Sequence, residues 1–317
     1  MNTGSNYLRR LTIRLAMGLQ HVAPETRVRH AEFLKGAQQP DGGFPGRLGQ
    51  SDLYYTSFAL RTLAVLGELQ GDLARRAANF LQSRLEGPEK LIDQMSLIFG
   101  AALLQTAAGL NAYGAREQTW TSQFTERIEQ LRRDDGGYAK GPEGAASSTY
   151  HTFLSLLCLQ LIGQPCVEPE RAIEFTRSQG DAMGGFREIR VGKRAGTNPT
   201  AAAIGILQML NALDDSTRKT TAEFLAKMQD GSGGFLANSR IPMPDVLSTF
   251  TGVSTLADLG ELDLIDTPAA LRFVRSLEQP TGGFRAAPWD DVSDVEYTFY
   301  GLGALALLAP PDARQRG

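Results

Sequence analysis

Two kinds of apolar segment alternate along this chain. Segments such as Ala31–Leu34 and Glu223–Leu225 belong to stretches that carry apolar residues on one helical face only. Segments such as Phe58–Leu66 and Leu154–Ile162 are apolar nearly throughout. A helix with one apolar stripe lies at a surface, whereas a helix that is apolar on all sides is buried. The pattern predicts pairs of helices, each with an outer and an inner member.

A short glycine turn separates the outer from the inner segments. It reads Asp-Gly-Gly-Phe at Asp41–Phe44, and further copies stand at Asp135–Tyr138, Gly184–Phe186, Gly233–Phe235 and Gly282–Phe284. The second glycines are residues 43, 137, 185, 234 and 283, with gaps of 94, 48, 49 and 49. The first gap equals two periods and hides a degenerate unit near Glu86–Pro88. The spacing predicts six repeats of about 48 residues.

A threonine follows each of these five glycine turns at the start of an apolar helix and keeps the same phase as the glycines. These threonines are Thr56, Thr152, Thr200, Thr249 and Thr298. The last apolar segment, Gly301–Leu308, is as apolar as the middle ones, whereas an open solenoid would have a polar final repeat. We therefore expect an all-α fold, an α/α toroid in which residues 1–317 form one domain and a helix at residues 1–21 leads into the first repeat. An open α-solenoid that binds peptides is the alternative.

Composition excludes several classes of partner. The chain has 317 residues, 42% of them hydrophobic, and 32 basic against 35 acidic residues give a net charge of −3. A net charge of −3 gives no indication of the basic surface that binds a nucleic acid. The two cysteines, Cys158 and Cys166, form no CxxC pair and favour a reducing compartment such as the cytoplasm. No stretch reaches the roughly 20 apolar residues that cross a bilayer, while peripheral contact with a membrane stays open.

The repeated sequence motif resembles the repeat of prenyltransferase β subunits and squalene cyclases. It reads Gln-x-x-Asp-Gly-Gly-Phe and is followed by Asp-x-x-x-Thr before an apolar helix. The resemblance covers essentially the whole chain and is nearest to the β subunit of protein geranylgeranyltransferase type II. It implies an α/α barrel whose apolar cavity holds a prenyl chain, with function at the N-terminal ends of the inner helices. An isoprenoid is the small-molecule substrate that it implies. A helical partner subunit is compatible with the sequence but not indicated by it.

The zinc site of the prenyltransferase branch is incomplete here. In that branch an Asp and a Cys of the fifth repeat and a His of the sixth bind the catalytic zinc. Asp245 is kept, but Leu247 stands at the Cys position and Tyr297 at the His position. Since a catalytic zinc needs three Cys, His or carboxylate ligands, we predict that none is bound. Mg²⁺ is expected only if a prenyl diphosphate is the substrate.

Class II terpene cyclases, the other branch, protonate a prenyl chain with the middle acid of Asp-x-Asp-Asp-Thr. Asp294–Thr298 is a partial copy that places Glu296 at the proton-donating position, and Asp93 is a lone acid at the corresponding helix start of the second repeat, with its register uncertain by one residue. An apolar cavity raises the pKa of a carboxyl and keeps it protonated. Asp93, Glu296 and Asp245 are the candidate catalytic carboxylates. The alternatives are helix capping for Asp245 and a solvated or paired carboxylate for the other two.

Candidate substrate-binding residues cluster at the same helix starts. Aromatic faces stabilise carbocations, although core packing is the alternative for each single ring. Asn198 stands where other repeats place Tyr54 or Glu296, and Arg47, in Gly42–Arg47, matches a family phrase that contacts diphosphate. The candidates are Tyr54, Tyr55, Tyr150, Asn198, Tyr297, Tyr300 and Arg47.

Three functions follow from these residues. The first is an isoprenoid-processing enzyme without zinc that cyclises a prenyl chain by acid initiation. The second is transfer of a prenyl group from a prenyl diphosphate, as in the β subunits. The third is a non-catalytic toroid that binds an isoprenoid or a peptide, because a fold alone does not specify function.

Overall fold

The computed structural model describes residues 7–87, 90–190 and 194–309, with only the backbone of Leu91. These residues form helix α1 (Tyr7–Leu19) and six helix pairs. The pairs are α2 (Pro24–Ala37) with α3 (Leu53–Leu66), α4 (Gly71–Ser83) with α5 (Leu91–Ala108), α6 (Glu117–Glu129) with α7 (Thr149–Leu161), α8 (Pro169–Ser178) with α9 (Thr197–Met209), α10 (Asp215–Ala226) with α11 (Val246–Leu259), and α12 (Thr267–Ser276) with α13 (Val295–Leu308).

Short elements join the helices. Three two-stranded antiparallel ladders pair β1 (Phe44–Pro45) with β2 (Ser51–Asp52), β3 (Tyr138–Ala139) with β4 (Ser147–Ser148), and β5 (Phe284–Arg285) with β6 (Ser293–Asp294). Two 3₁₀ turns occupy Gly114–Arg116 and Leu262–Leu264.

The predicted alternation of outer and inner helices is confirmed. The inner helices α3, α7, α11 and α13 bury most of their residues, whereas α2, α8 and α10 bury only three or four each. The degenerate second unit also forms a pair, with α4 and α5 on either side of Glu86–Gly87. Helix α1 is shorter than the predicted 1–21, and residues 1–6 lie outside the described ranges.

One hydrogen bond explains why the glycine turn and the threonine keep the same phase. The backbone N–H of the turn aromatic donates to the threonine hydroxyl of the following inner helix, at 2.9 Å for Phe44 and Thr56 and 3.0 Å for Phe235 and Thr249. The same bond recurs in three other repeats: Tyr138 to Thr152, Phe186 to Thr200, and Phe284 to Thr298. All five threonines are fully buried, so each hydroxyl supplies the partner that a buried N–H requires.

The glycines let the turn approach the outer helix of the next repeat. Gly42 has φ of 91°, and a Cβ there would lie 2.2 Å from the carbonyl oxygen of Arg76 in α4. A Cβ on Gly43 would lie 2.7 Å from the ring of Phe80, also in α4. Gln38 joins the same two elements, since its amide donates to the carbonyls of Gly42 and Leu73. This turn is therefore held by the outer helix of the next repeat.

The described residues divide into two compact units. The first contains residues 7–8 and 123–273, in which α9 packs on α7 and on α11. The second contains residues 9–122 and 274–309, in which α3 packs on α5 and on α13. Whether residues 1–317 act as one domain stays a prediction.

Within the second unit, the last repeat packs directly against the first. The buried ring of His30 in α2 stacks on Phe284 at a centroid distance of 4.8 Å and accepts a 3.0 Å hydrogen bond from the N–H of Gly283. The other ring nitrogen of His30 lies 3.2 Å from the carboxylate of Glu278. A closed array of repeats requires such a contact between its two ends.

Candidate functional site

The structure distributes the predicted site residues over both units. The second unit holds Arg47 after β1, Tyr54 and Tyr55 at the start of α3, Asp93 at the start of α5, and Glu296, Tyr297 and Tyr300 at the start of α13. The first unit holds Tyr150 in α7, Asn198 in α9 and Asp245 before α11.

Glu296 is the centre of a hydrogen-bonded group in the second unit. The phenol of Tyr54 donates to Glu296 Oε1 at 2.7 Å, and the phenol of Tyr300 lies 3.5 Å from the same oxygen. No hydrogen bond from a described residue reaches Oε2. Because α3 packs on α13, residues 242 positions apart in sequence meet here. The carboxyl therefore has one oxygen held by phenols and one oxygen without a hydrogen bond from the described residues.

The surroundings of Glu296 favour its protonated form. Burial raises the pKa of Glu296, and the charge of Asp294 raises it further. The phenol hydrogen bonds and the positive charge of Arg61 act in the opposite direction without reversing the shift. A carboxyl that keeps its proton toward neutral pH can serve as an acid.

Aromatic rings surround this carboxyl. Phe58, in the second turn of α3, lies edge-on to Tyr54 at 5.1 Å and to Tyr300 at 5.3 Å. Phe299 lies 5.7 Å from both Phe58 and Tyr300. These separations are those of interacting aromatic pairs. Of the predicted binding residues, Tyr54, Tyr55 and Tyr300 thus lie in one aromatic cluster, with Tyr54 and Tyr55 at 5.3 Å.

Arg61 is a site residue that the sequence analysis missed. Its guanidinium lies over the ring of Phe99 at 4.4 Å, the ring of Phe58 at 4.8 Å and the ring of Phe299 at 5.8 Å. The signal that could have found it is a single cation inside the apolar segment Phe58–Leu66. The contacts demonstrate that these ring faces accept a positive charge.

Arg47 is bound to two carboxylates, although its side chain is also exposed to solvent. Its Nε donates to Asp294 at 2.9 Å, its two terminal nitrogens bond Asp290, and its guanidinium lies 5.2 Å from the ring centre of Tyr297. These pairs raise the pKa of Arg47 and fix its charge. The role of Arg47 in binding diphosphate stays a prediction, and its guanidinium would have to leave both carboxylates to fulfil it.

Asp294 caps α13 and is nearly buried. Its side chain accepts a 2.9 Å hydrogen bond from the N–H of Tyr297, and the residue is 5% exposed. Burial raises the pKa of Asp294, and this effect exceeds the lowering by its hydrogen bonds and by the charge of Arg47. Burial also raises the pKa of Tyr297 to about 12.

The structure settles the register of Asp93. Asp294 precedes α13, and Glu296 is the second residue after it. Lys90 precedes α5, and Asp93 is the third residue after it. Gln94 therefore takes the place of the repeated threonine and is 5% exposed. Asp93 is half-buried and one position away from the place of Glu296, and its catalytic role stays a prediction.

Asp245 caps α11, as the alternative interpretation expected. Its carboxylate accepts hydrogen bonds from the N–H of Ser248 at 2.6 Å and from the Ser248 hydroxyl at 2.9 Å. Burial raises the pKa of Asp245. A catalytic role of Asp245 stays a prediction, because capping and catalysis are compatible.

Of the three positions that the resemblance assigns to zinc ligands, only Asp245 carries a ligand of that kind, and the absence of a catalytic zinc stays a prediction. Leu247 offers no donor atom, and the phenol of Tyr297 is not among the Cys, His and carboxylate ligands that zinc prefers. Throughout the described residues, no group of three or more His, Cys, Asp or Glu side chains is arranged to hold a metal.

The remaining predicted residues of the first unit are polar groups at helix starts. Asn198 Oδ1 accepts a 2.6 Å hydrogen bond from Thr251 of α11. Tyr150 is 42% exposed, and its ring lies edge-on to His151 at 5.6 Å. Substrate binding by either residue stays a prediction.

Residues 11–100 and 91–316 match the family described as the prenyltransferase alpha-alpha toroid domain. The chain belongs to this family. The resemblance noted from the glycine turns is thereby confirmed, and the fold class is the α/α toroid. No curated protein matches the sequence.

Solved structures of similar fold have different activities. A protein geranylgeranyltransferase-I from Candida albicans, complexed with GGPP, aligns with TM-score 0.68 and 16% identity over 89% of this chain and 90% of that chain. A variant of the type II terpene cyclase MstE from Scytonema, in complex with geranylgeranyl dihydroxybenzoate, aligns with TM-score 0.62 and 14% identity over 95% and 98%. An α-1,6-mannanase from Salegentibacter aligns with TM-score 0.63 and 12% identity over 90% and 98%. At these identities the likeness shows the fold alone.

In the described part of the chain, no helix has both the length and the hydrophobicity that a bilayer crossing needs. The cytoplasmic location and a peripheral membrane contact stay predictions.

Proposed function

We propose that this toroid processes an isoprenoid by acid-initiated cyclisation and that Glu296 is the acid. The observation that carries the proposal is the environment of Glu296: a half-buried carboxyl with a raised pKa, one oxygen held by Tyr54 and Tyr300, and an aromatic cluster that includes both of these rings. Two proteins of similar fold, one complexed with GGPP and one with geranylgeranyl dihydroxybenzoate, support the substrate class.

The first step breaks the O–H bond of the Glu296 carboxyl. The π electrons of a prenyl double bond take the proton, a C–H bond forms, and a tertiary carbocation is left on the chain. Further double bonds then attack this cation and close rings. Tyr54, whose phenol already donates to Oε1, stabilises the carboxylate that the step produces. Loss of a proton from the final cation ends the sequence, and solvent returns a proton to Glu296.

The aromatic cluster supplies the second requirement, stabilisation of positive charge. Rings attract a cation through their electron-rich faces. Arg61 already shows this attraction at Phe58, Phe99 and Phe299. Because the guanidinium occupies part of those faces, we expect the carbocation to be stabilised mainly by the faces that Arg61 leaves open.

Prenyl transfer is less well supported by the same residues. The transferase chemistry of this family depends on a zinc-bound thiolate, and the residues at Asp245, Leu247 and Tyr297 do not fit the metal. Arg47, the candidate for diphosphate, is held by Asp290 and Asp294.

Cyclisation and transfer differ in their products, and this difference gives the test. The purified protein is incubated in D₂O with geranylgeranyl diphosphate, geranylgeraniol and geranylgeranyl dihydroxybenzoate, and products are analysed by mass spectrometry. Acid-initiated cyclisation gives isomers of the substrate that carry one deuterium and release no diphosphate. Replacing Glu296 by Gln keeps the shape and removes the acid, so turnover should fall by about a hundredfold or more.

Glu32→Gln is the matched control, because that carboxylate is exposed in α2 and should leave turnover unchanged. Turnover by Glu296→Gln at the wild-type rate would refute Glu296 as the acid. Release of diphosphate with attachment of the prenyl group to an acceptor would favour transfer instead. Tight binding of the isoprenoids without any product would favour a non-catalytic toroid.

A further inference from the structure

Two loops of the second unit hold large apolar side chains out in solvent. Leu48, between β1 and β2, is 94% exposed, and Trp289 and Val292, between β5 and β6, are 56% and 48% exposed. Leu48 is the most exposed large apolar side chain in the described part of the chain. Apolar surface that is gathered in one exposed place marks a site of interaction. The two loops are therefore a candidate interaction surface.

The side chain of Arg47 ties the two loops together. It bonds both carboxylate oxygens of Asp290, at 3.1 Å for Oδ1. Leu48 directly follows Arg47, and Trp289 directly precedes Asp290. The segments that carry the three apolar side chains therefore meet at one ion pair. We call Leu48, Trp289 and Val292 the apolar tips.

Hydrogen bonds to Asp290 set the path of the loop between β5 and β6. Its carboxylate accepts from the N–H of Val292 at 3.2 Å and from the N–H of Ala286 at 3.3 Å. Its own N–H donates to the carbonyl of Ala287 at 3.0 Å. The exposure of Trp289 and Val292 thus belongs to a loop that is fixed at several points.

The charges of the two loops do not suit an anionic surface. Residues 45–51 and 286–293 contain one basic residue, Arg47, and two acidic residues, Asp290 and Asp291. Arg47 is already paired, and the side chain of Asp290 is only 14% exposed. Asp291 is exposed and would be repelled by anionic lipid headgroups. A surface without net charge is the complement of these loops.

The residue types at the tips suit the boundary of a bilayer. Tryptophan has a large apolar body and a polar N–H, and it is enriched where acyl chains meet headgroups. Leucine and valine gain free energy when they leave water for such a boundary. Apolar side chains that protrude from loops can enter a fluid surface without a preformed pocket.

We propose that the apolar tips dock this protein on a zwitterionic lipid surface. The docking surface borders the helix start that carries Glu296, because Arg47 bonds Asp294, the cap of α13, and lies 5.2 Å from the ring centre of Tyr297. This inference goes beyond the proposed function and does not depend on it, since vesicle binding is measured without substrate.

Tryptophan fluorescence reports the docking directly. The chain has two tryptophans, and Trp120 is only 8% exposed, so Trp289 is the one that lipid can reach. Phosphatidylcholine vesicles should shift the emission of the wild type to shorter wavelength, and lipids brominated in their acyl chains should quench it. Trp289→Phe retains only Trp120, and its emission should not respond to the vesicles.

Sedimentation with phosphatidylcholine vesicles measures the contribution of the tips. Leu48→Ser should weaken binding by about tenfold, and the double variant Leu48→Ser, Trp289→Ser should weaken it by about a hundredfold. The tips are exposed, so these substitutions leave the core intact. Leu264→Ser is the matched control, because Leu264 is 48% exposed in a different loop and should bind as the wild type does. Phosphatidylserine in the vesicles should weaken binding, and added salt should remove that weakening.

Three results would overturn the proposal. The first is a wild type that does not bind phosphatidylcholine vesicles, in which case the tips would be better explained as a protein interface. The second is binding that requires phosphatidylserine and is lost in salt, because it would indicate a basic surface instead. The third is equal binding by the wild type and the double variant. None of these results bears on Glu296 as the acid, which is tested by turnover.

Discussion

Thr249 offers a direct test of the hydrogen bond that recurs in five repeats. Its hydroxyl accepts from the N–H of Phe235 at 3.0 Å, and both residues are fully buried. Valine has nearly the shape of threonine but no hydroxyl. Thr249→Val therefore removes the partner of a buried N–H without opening a cavity.

The expected loss follows from the groups left behind. An unsatisfied buried N–H costs about 1–3 kcal/mol. The hydroxyl also donates to the carbonyl of Asp245 at 2.7 Å, but that carbonyl keeps the backbone N–H of Thr249 as a donor at 3.0 Å. The valine buries more apolar surface than the threonine, and this gain offsets less than about 1 kcal/mol of the lost free energy of unfolding. We expect a net loss of about 1–2 kcal/mol in the free energy of unfolding.

Urea unfolding followed by circular dichroism measures this loss, and amide hydrogen exchange locates it at Phe235. Thr106→Val in α5 is the control, because Thr106 is exposed and its hydroxyl donates only to the carbonyl of Ala102. The control should change stability by less than about 0.5 kcal/mol. Equal effects of the two substitutions, or an unchanged exchange rate of the Phe235 amide, would refute the assigned role of the hydrogen bond.

Three further variants test other parts of the structure. Gly233→Ala should lower the melting temperature markedly, because φ at this residue is 95° and the new Cβ would lie 2.3 Å from a backbone carbonyl. Gly231→Ala is the control and should leave the melting temperature nearly unchanged, because a Cβ at this residue would have no atom within 4 Å. Arg61→Met removes a positive charge that lowers the pKa of Glu296. The carboxyl should then stay protonated to higher pH, so the pH at which activity is lost should rise. A fall in that pH would contradict this electrostatic assignment. The hydrogen bond from the buried His30 lowers the pKa of Glu278. Glu278→Gln should therefore be less stable than the wild type at neutral pH, and this difference in stability should vanish as the pH falls through the lowered pKa. A difference that persists in acid would count against the pairing of Glu278 with His30.

Much of the fold could be predicted because its decisive contacts are local and repeated. The glycines and threonines that define the period are the residues joined by the turn-to-helix bond, so Phe44 and Thr56 lie only 12 positions apart. The degenerate second repeat was found from spacing alone, but its register was not, because Gln94 replaces the threonine that marks it elsewhere.

The site was harder to predict because its contacts are distant in sequence. Glu296 and the aromatic residues were found from their positions at helix starts, but nothing local reveals that Tyr54 bonds Glu296 or that Arg47 bonds Asp294. These pairs depend on packing of the last repeat against the first. The hydrogen bond from Ser148 to Glu188 also has no local signal in the sequence, since 40 positions separate the two residues.

The contact between the last and the first repeat also bears on how the chain folds. Other turns are seated by nearby residues: Gln38 bonds Leu73, 35 positions away, and Gln229 bonds Asp266, 37 positions away. The bond between Gly283 and His30 spans 253 positions. Contacts between distant segments form slowly. During synthesis, the part of the first outer helix around His30 therefore stays uncovered until the sixth repeat has been made, although α3 already packs on the same helix. This is the interval in which a chaperone would be most needed.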